Sequence, residues 1–267
     1  MIIDSHVHVG KSLSFNMPEE MLIKAMDKAG VDFSIAMNVE SVEVGHNQEM
    51  ISESEQVSQL DSARHLVETV KRYPTRIGAA IWLRPLTETL TDEMVTFIKE
   101  NRDYIYAIKF HPYHSKVAFN DVCMTAYFEL ARELNLPVVT HTAGDCDSAP
   151  MHVYDVAKKY PDVKFVMVHL GLGTDNEEAI ELIAKLDNLY GDSTWVTPDK
   201  VLKAIEVCGA HKIMFGTDAP INGEDTYDDE MFYNFCFNEM KNHISKEAYD
   251  AFMYKTAIEV FNLKQFK

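Results

Sequence analysis

Short apolar runs alternate with longer amphipathic stretches along the whole chain. Runs rich in β-branched and aromatic residues predict strands, whereas apolar residues at three- and four-residue spacing predict helices. Such alternation is typical of repeated β-α units that build a parallel sheet. Eight runs are predicted to be strands: 2–8, 33–39, 76–83, 106–111, 137–142, 164–170, 188–194 and 212–218.

The stretches between these runs carry helix start and stop signals. Residues 18–30 begin with Pro18 and two glutamates and end on Gly30, which is the usual asymmetry of a helix. Residues 91–100 and 120–135 open on capping residues and continue with apolar residues at helical spacing. The chain beyond Asp218 predicts two or three closing helices.

The segment from about residue 40 to 58 is the longest one without a clear pattern, and it is acidic and polar. Loops that follow barrel strands lie on the catalytic face. The segment is therefore interpreted either as a loop that covers the substrate or as a plain surface excursion.

The length of 267 residues fits one domain, 1–267, because a (β/α)8 TIM barrel needs about 250 residues. Hydrophobic residues make up 46% of the chain and charged residues 25%, as in ordinary globular proteins. The fold class predicted from length and alternation is therefore α/β, a single-domain (β/α)8 barrel.

Charge and cysteine content exclude several classes of function. A net charge of −17 and the lack of a Lys/Arg cluster argue against a nucleic-acid partner. The four cysteines are widely spaced without a C-x-x-C pair, so neither a thiolate zinc site nor a disulfide framework is expected. Neither a secretory signal nor an apolar run of about 20 residues is evident, which predicts a cytoplasmic protein without a membrane partner.

Histidines sit at the end of the first predicted strand. His6 and His8 are two residues apart, so their side chains share one face of the strand, and Asp4 shares that face. Neutral imidazole is a common ligand of zinc, so this pair forms half of a candidate metal site. Asp4 is expected to orient a ligand histidine.

Three later strands also end on residues that bind metals. His141, His169 and Asp218 each follow an apolar run of the kind found in buried strands. Barrel enzymes place their catalytic groups at the carboxyl ends of the strands. Side chains from four separate strands are therefore expected to meet at one point.

Other catalytic motifs are missing from the sequence. There is no G-x-S-x-G elbow and no cysteine at a strand end, so a covalent nucleophile is not indicated. Neither the Rossmann glycine pattern nor a P-loop is present.

The ordered motifs resemble the amidohydrolase superfamily, and within it the amidohydrolase-related branch whose members include relatives of aminocarboxymuconate-semialdehyde decarboxylase. The resemblance spans the chain and rests on DSHVH, IKFHP, VVTHT, VHLG, NLYGDST, CGAHKIMFGTDAP and the closing TAIEVFNL. It implies that a divalent metal, with zinc expected, is bound by His6, His8, His141 and Asp218. His169 would act beside the metal as an acid or base, or ligate a second ion.

Lys109, in IKFHP, has two interpretations under this resemblance. In binuclear members a lysine at this place is carboxylated and bridges two metals. In the mononuclear branch a cationic lysine pairs with a substrate carboxylate. Overall similarity to that branch favours one ion. His111 and His114, just beyond, are predicted to contact the substrate.

The leading functional hypothesis is a metal-dependent hydrolase that uses metal-activated water on an amide, ester or lactone of a small, acidic molecule. Catalysis would involve Asp218, His169 and Lys109. The alternative is a non-oxidative decarboxylase with the same ligands, and a third hypothesis is a binding protein on a retained barrel. The aromatic segment MFYNFCF could support a homodimer.

Overall fold

The computed structural model describes residues 1–266 and shows a curled sheet of nine strands in the order β2-β1-β3-β4-β5-β6-β7-β8-β9. β1 and β2 are antiparallel, and every other neighbouring pair is parallel. The strands are β1 (Ile3–Ser12), β2 (Phe15–Met17), β3 (Phe33–Asn38), β4 (Ile77–Trp82), β5 (Ile105–Phe110), β6 (Val138–Ala143), β7 (Phe165–Leu172), β8 (Leu189–Asp192) and β9 (Ile213–Met214).

All eight predicted strands are confirmed, and the largest differences in extent are at the first and the last of them. β1 continues beyond the prediction to Ser12 and folds back onto the short β2, which was not predicted. The last strand is only Ile213–Met214, whereas the prediction extended to residue 218. Periodicity cannot identify a three-residue strand such as β2, because strand patterns need four or more residues to show.

The α-helices are α1 (Glu19–Ala29), α2 (Gln59–Arg72), α3 (Asp92–Glu100), α4 (Pro112–Ser115), α5 (Thr125–Leu134), α6 (Pro150–Lys159), α7 (Glu177–Lys185), α8 (Pro198–Cys208), α9 (Asn234–Asn238), α10 (Lys246–Asp250) and α11 (Thr256–Val260). Helices α1 to α8 lie between the strands, and α9 to α11 follow β9. A π-helical turn, Ala251–Lys255, joins α10 to α11.

The helix ends agree with the capping signals. Gly30 follows α1 in the left-handed conformation at φ 70°, which glycine adopts without steric cost. Thr91 caps α3 by accepting a hydrogen bond from the backbone N–H of Met94. No helix within residues 1–266 is long and apolar enough to cross a membrane.

Apolar residues fill both sides of the sheet. β3 and β4 are buried along their whole length, as expected for parallel strands covered on both faces. One cluster of core residues lies between the strands and the helices. A second combines strand residues such as Phe33 and Val139 with Ala257 and Val260 of α11. A rigid packed sheet therefore carries the strand ends that form the site.

Hydrogen bonds join the chain after β9 back to β1. The backbone N–H of Ser5 donates to the carbonyl of Phe215 at 2.9 Å, and that of His8 donates to the carbonyl of Ala219 at 2.8 Å. In the other direction, the N–H of Asp218 donates to the carbonyl of His6 at 2.9 Å. The first and last strands of the curl are thus brought side by side.

Candidate active site

The predicted ligand residues meet at the carboxyl ends of the strands. His6 and His8 come from β1, His141 from β6 and His169 from β7, while Asp218 follows β9. All five are buried, with at most 8% of any of them exposed. The convergence predicted from the strand ends is therefore present in the structure.

Asp218 lies at the centre of this group. Its Oδ1 is 3.3 Å from His6 Nε2 and 3.2 Å from His8 Nε2, and its Oδ2 accepts a hydrogen bond from Trp195 Nε1 at 2.7 Å. Burial raises the pKa of Asp218, but its electrostatic interactions with the His6 and His169 rings and its hydrogen bond with His8 outweigh burial and leave the pKa well below its usual range. Asp218 is therefore an anion.

His6 is held through its Nδ1. This atom lies 3.5 Å from Asp192 Oδ2 and 3.4 Å from Thr194 Oγ1. Burial, followed by the charge of Lys109, lowers the pKa of His6 to about 3, so its ring is neutral. When Nδ1 carries the proton toward these oxygens, Nε2 offers its lone pair on the side of Asp218.

His169 is oriented by the same two residues. Its Nδ1 is 3.1 Å from the Thr194 carbonyl, and its backbone N–H donates to Asp192 Oδ1 at 3.1 Å. Burial lowers the pKa of His169, although Asp218 and Asp192 oppose this effect. Because a carbonyl can only accept a hydrogen bond, it fixes the tautomer that carries the hydrogen on Nδ1. Nε2 is then the ring atom available for binding or catalysis.

Aromatic rings stack beside the site. The His141 ring stacks on His111 at 3.9 Å between centroids, and His111 stacks on Trp82 at 5.2 Å. The Nδ1 atoms of His141 and His111 are buried and have no hydrogen-bond partner in the described structure. Burial lowers the pKa of both rings well below the usual value, so both are neutral.

These donors fit a divalent metal. His6, His169 and Asp218 each offer a ligand atom within 4.8 Å of the others, and the Nδ1 atoms of His8 and His141 are buried without a partner. Neutral imidazoles together with a carboxylate are the ligand types that suit zinc and related divalent ions. The tight group differs from the predicted ligand set because it contains His169 and lacks His8 and His141.

A cavity of about 600 Å³ opens above this group. The polar residues of its lining are His8, His46, His111, Tyr113, His114, His141, Asp145, His169 and Asp218. The rest of the lining is mostly apolar or aromatic and includes the following residues: Phe15, Met17, Val39, Val42, Trp82, Leu172, Trp195 and Ile221. A space of this size and lining suits a small organic molecule that carries polar groups.

The comparisons with known proteins agree with this architecture. A family model described as amidohydrolase matches residues 3–263. The chain belongs to the amidohydrolase family. No curated protein matches the sequence.

Solved structures similar to this family member include decarboxylases. One is 5-carboxyvanillate decarboxylase of Novosphingobium aromaticivorans with manganese and 3-methoxy-4-hydroxy-5-nitrobenzoic acid, at TM-score 0.73 and 12% identity, covering 98% of this chain and 97% of that one. Another is 2,6-dihydroxybenzoate decarboxylase from Rhizobium, at TM-score 0.67 and 13% identity, covering 98% and 99%. A TIM-barrel protein from Bordetella bronchiseptica has TM-score 0.71 and 15% identity, covering 98% of each chain. At these identities the likeness shows the fold.

His111 and His114, the predicted substrate contacts of this amidohydrolase-family chain, both line the cavity. Val42 and His46 also line it, so part of the irregular 40–58 segment forms its wall. Asp4 contacts the backbone of His6, a predicted ligand, and its role in orienting that histidine stays a prediction. Its Oδ1 accepts from the backbone N–H of His6 at 3.0 Å, and its Oδ2 accepts from Tyr227 at 2.9 Å.

Lys109 lies behind His6 and is not among the residues that line the cavity. It is fully buried, and its Nζ is 3.1 Å from His6 Nε2. Burial lowers the pKa of Lys109 to about 8, although Asp218 and Asp192 favour the charged form. An amine in this position contacts a predicted metal ligand directly.

We expect Lys109→Ala to retain about one metal ion per chain, because imidazole and carboxylate donors remain without the lysine. His141→Ala is expected to lower the metal content. Metal per chain, measured by mass spectrometry on both variants and the parent, checks this. Two ions in the parent and one in Lys109→Ala would instead make Lys109 a bridging ligand.

Sequence reasoning missed two features of the site. The position of Trp195 beside the end of the seventh predicted strand is compatible with packing or with lining the pocket, and in the structure Trp195 donates to Asp218 and lines the cavity. Thr194 was not singled out, although it contacts both His6 and His169. The motif NLYGDST places Thr194 and Asp192 at a strand end, and that position was the available signal.

Glu43 ties the irregular segment to the loop after β4. It is 1% exposed, and its Oε1 accepts hydrogen bonds from the N–H and the hydroxyl of Thr87 at 2.7 and 2.8 Å. Burial raises its pKa to about 7, more than the bonds with Thr87 and the charge of Arg84 lower it. This carboxyl therefore binds a proton more tightly in the folded protein than in the unfolded chain.

A pH-dependent stability follows from this shift. Because the folded pKa of about 7 lies above the usual 4.5, the free energy of unfolding should fall as the pH rises through this window. We expect a loss of up to about 3 kcal/mol relative to Glu43→Gln. Urea unfolding of both proteins between pH 4.5 and about 7 measures this loss. Free energies of unfolding that change in parallel with pH in the two proteins would contradict the prediction.

Proposed function

We propose that the protein is a metal-dependent, non-oxidative decarboxylase of a planar, aromatic carboxylic acid. The observation that carries this proposal is a histidine and aspartate cluster at one end of an aromatic-walled cavity of about 600 Å³. The decarboxylases among the similar structures support it. The hydrogen bonds between β1 and residues 215–219 support the further proposal that the sheet works as a closed (β/α)8 barrel.

In this proposal His6, His8, His141 and Asp218 hold a divalent metal, with His169 beside them. Zinc suits these donors, and one similar structure contains manganese. The metal supplies positive charge that orients the substrate and stabilises negative charge developing on its oxygen atoms.

The residues of the chain bind the acid and move one proton. The flat ring of the substrate lies against the aromatic walls, including Trp82 and Trp195, with its carboxylate toward the histidines. The bond between the ring carbon and the carboxylate breaks, carbon dioxide leaves, and the electron pair left on the carbon takes a proton. We assign this proton to His169 Nε2, because Thr194 holds Nδ1.

The charges around His169 suit this role. Burial lowers the pKa of its ring, while Asp218 and Asp192 favour the imidazolium. A bound carboxylate adds another negative charge, which raises the pKa of the ring further. Substrate binding therefore favours protonation of His169, and this proton is the one transferred to carbon.

Hydrolysis, the leading hypothesis from the sequence, has less support than its alternative. A hydrolase of this kind needs Asp218 to accept a proton from the attacking water. Here one carboxylate oxygen accepts from Trp195 and the other lies between two histidines. These contacts weaken the carboxylate as a base.

The deciding test is incubation of metal-loaded protein with a panel of aromatic carboxylic acids in deuterium oxide. Decarboxylation releases carbon dioxide and places one deuterium on the carbon that carried the carboxylate. Mass spectrometry of the product detects the label. Cleavage of esters or amides without carbon dioxide release would favour hydrolysis and count against the proposal.

A further inference from the structure

One buried tyrosine joins two parts of the site that come from different strands. Tyr233 belongs to the aromatic segment MFYNFCF after β9, and its side chain is fully buried. Its hydroxyl donates a hydrogen bond to the carbonyl of Thr217 at 2.7 Å and accepts one from the backbone N–H of Trp195 at 3.2 Å. Burial and the negative charge of Asp218 raise the pKa of Tyr233 well above its usual value, so the hydroxyl keeps its hydrogen. The phenol therefore connects the chain after β8 with the chain after β9.

The first of these hydrogen bonds holds the peptide group that carries Asp218. The carbonyl of Thr217 and the N–H of Asp218 belong to the same planar peptide group. That N–H donates to the carbonyl of His6 at 2.9 Å, so the peptide group is held on both sides. Rotation of this group would move the Asp218 carboxylate, whose Oδ1 lies within 3.3 Å of Nε2 of both His6 and His8.

The second hydrogen bond holds the peptide group that orients His169. The N–H of Trp195 and the carbonyl of Thr194 belong to one peptide group, and that carbonyl is 3.1 Å from His169 Nδ1. Trp195 has a left-handed backbone at φ 56°, a conformation that a bulky residue keeps only where its surroundings hold it. Its indole also donates to Asp218 Oδ2 at 2.7 Å. A single hydroxyl therefore restrains both Asp218 and His169.

The position of Tyr233 is itself fixed by the chain around it. Asp229 Oδ1 accepts hydrogen bonds from the N–H groups of Met231 at 2.9 Å and Phe232 at 3.1 Å. The carbonyl of Asp229 accepts from the N–H of Tyr233 at 3.0 Å. The Tyr233 ring packs edge-to-face against Phe215, with 6.4 Å between centroids. These contacts hold the hydroxyl at the junction of the two peptide groups.

We propose that Tyr233 is a positioning residue whose hydroxyl fixes Asp218 and His169 relative to each other. Tyr233 does not line the cavity, so it acts through the peptide groups that it holds and through Trp195. The inference rests on the proposed function for the roles of Asp218 as a metal ligand and His169 as the proton donor. It extends that function to a residue outside the site.

The test compares Tyr233→Phe with Tyr127→Phe. Both tyrosines are buried, and each donates its hydroxyl to a backbone carbonyl, that of Thr217 at 2.7 Å and that of Glu88 at 3.0 Å. Tyr127 does not line the cavity. The chain has two tryptophans, so the NMR spectrum of the metal-free protein contains two indole N–H signals, and Trp195→Phe identifies one of them. Calorimetry measures the Kd of Mn²⁺ for the same proteins.

In Tyr233→Phe we expect the indole N–H signal of Trp195 to shift, because the indole is no longer aligned on Asp218. Mn²⁺ should bind about 10- to 100-fold more weakly, which is the typical cost of losing a contact that orients a metal ligand. Tyr127→Phe should change neither quantity, although both variants lose stability toward urea. An unshifted Trp195 signal together with a Kd within about twofold of the parental value would overturn the inference.

The orientation of His169 is tested at saturating Mn²⁺. Carbon dioxide release by Tyr233→Phe should remain about tenfold slower than that of the parent, because added metal does not realign His169. A rate restored to that of the parent would overturn the part of the inference that concerns His169.

Asp229→Ala provides a second variant in case Tyr233→Phe does not fold. It removes the acceptor of two N–H groups in the turn before Tyr233 and leaves the phenol in the chain. The same shift of the Trp195 signal and the same weakening of Mn²⁺ binding are expected, both smaller. No change in either would overturn the inference.

The outcomes separate this inference from the proposed function. If Tyr233→Phe shifts the Trp195 signal but the parent binds no Mn²⁺, the positioning of Asp218 is supported and the proposed metal is not. If parent and Tyr233→Phe bind Mn²⁺ and release carbon dioxide equally well, with an unshifted Trp195 signal, the proposed function stands and the inference is overturned.

Discussion

Asp218→Asn is expected to lower the rate of decarboxylation about 10³-fold or more and to release the bound metal. Asp218 Oδ1 lies within 3.3 Å of Nε2 of both His6 and His8, and Asp218 also forms the tight group of three donors with His6 and His169. Asparagine keeps the shape but removes the negative charge, which is what attracts a cation to three buried residues. Metal content and carbon dioxide release are measured on the same preparation.

Asp103→Asn provides the control for this experiment, because Asp103 is an exposed aspartate that does not line the cavity. Circular dichroism distinguishes loss of metal from loss of the fold. If Asp218→Asn keeps its metal and stays within tenfold of the parental rate, the central position given to this carboxylate is wrong.

His169→Gln is expected to lower kcat about 10³-fold while the metal is retained. Groups that transfer a proton in the transition state typically contribute about 10²- to 10⁴-fold. Glutamine can donate to the Thr194 carbonyl but cannot deliver a proton to carbon at neutral pH. The remaining ligands, His6, His8, His141 and Asp218, are unchanged, so the metal should stay bound.

Measuring the metal content together with the kinetics distinguishes a metal ligand from a proton donor at His169. His169 also belongs to the group whose ligand atoms lie within 4.8 Å of one another. Metal lost together with activity would show that His169 is a ligand, contrary to its assigned role. Full activity with metal bound would mean that another group supplies the proton.

Much of the fold could be predicted because buried parallel strands have a strong sequence pattern. β3 and β4 are buried throughout, and their apolar runs predicted them to within a residue at either end. The pairing of β1 with β2 could not be predicted, since it depends on a turn between two short segments. The curl of the sheet depends on contacts between Ser5 and Phe215, which no local pattern encodes.

The positions of the site residues could be predicted, but their partners could not. His141 and Asp218 end apolar runs, and strand ends converge in this architecture. Trp195, which donates a hydrogen bond to Asp218, has a left-handed backbone conformation at φ 56°. The sequence does not reveal this conformation.

The hydrogen bonds between β1 and the chain after β9 have a consequence for biosynthesis. His8 and Asp218, which touch across that junction, are 210 positions apart in the chain. The ribosome synthesises the amino terminus first, so His6 and His8 of β1 are made long before Asp218. Binding of the proposed ion would therefore come late in synthesis, and it would link β1 to the segment that follows β9. At a free ion concentration a thousand times Kd, this link would add about 4 kcal/mol against opening of the junction.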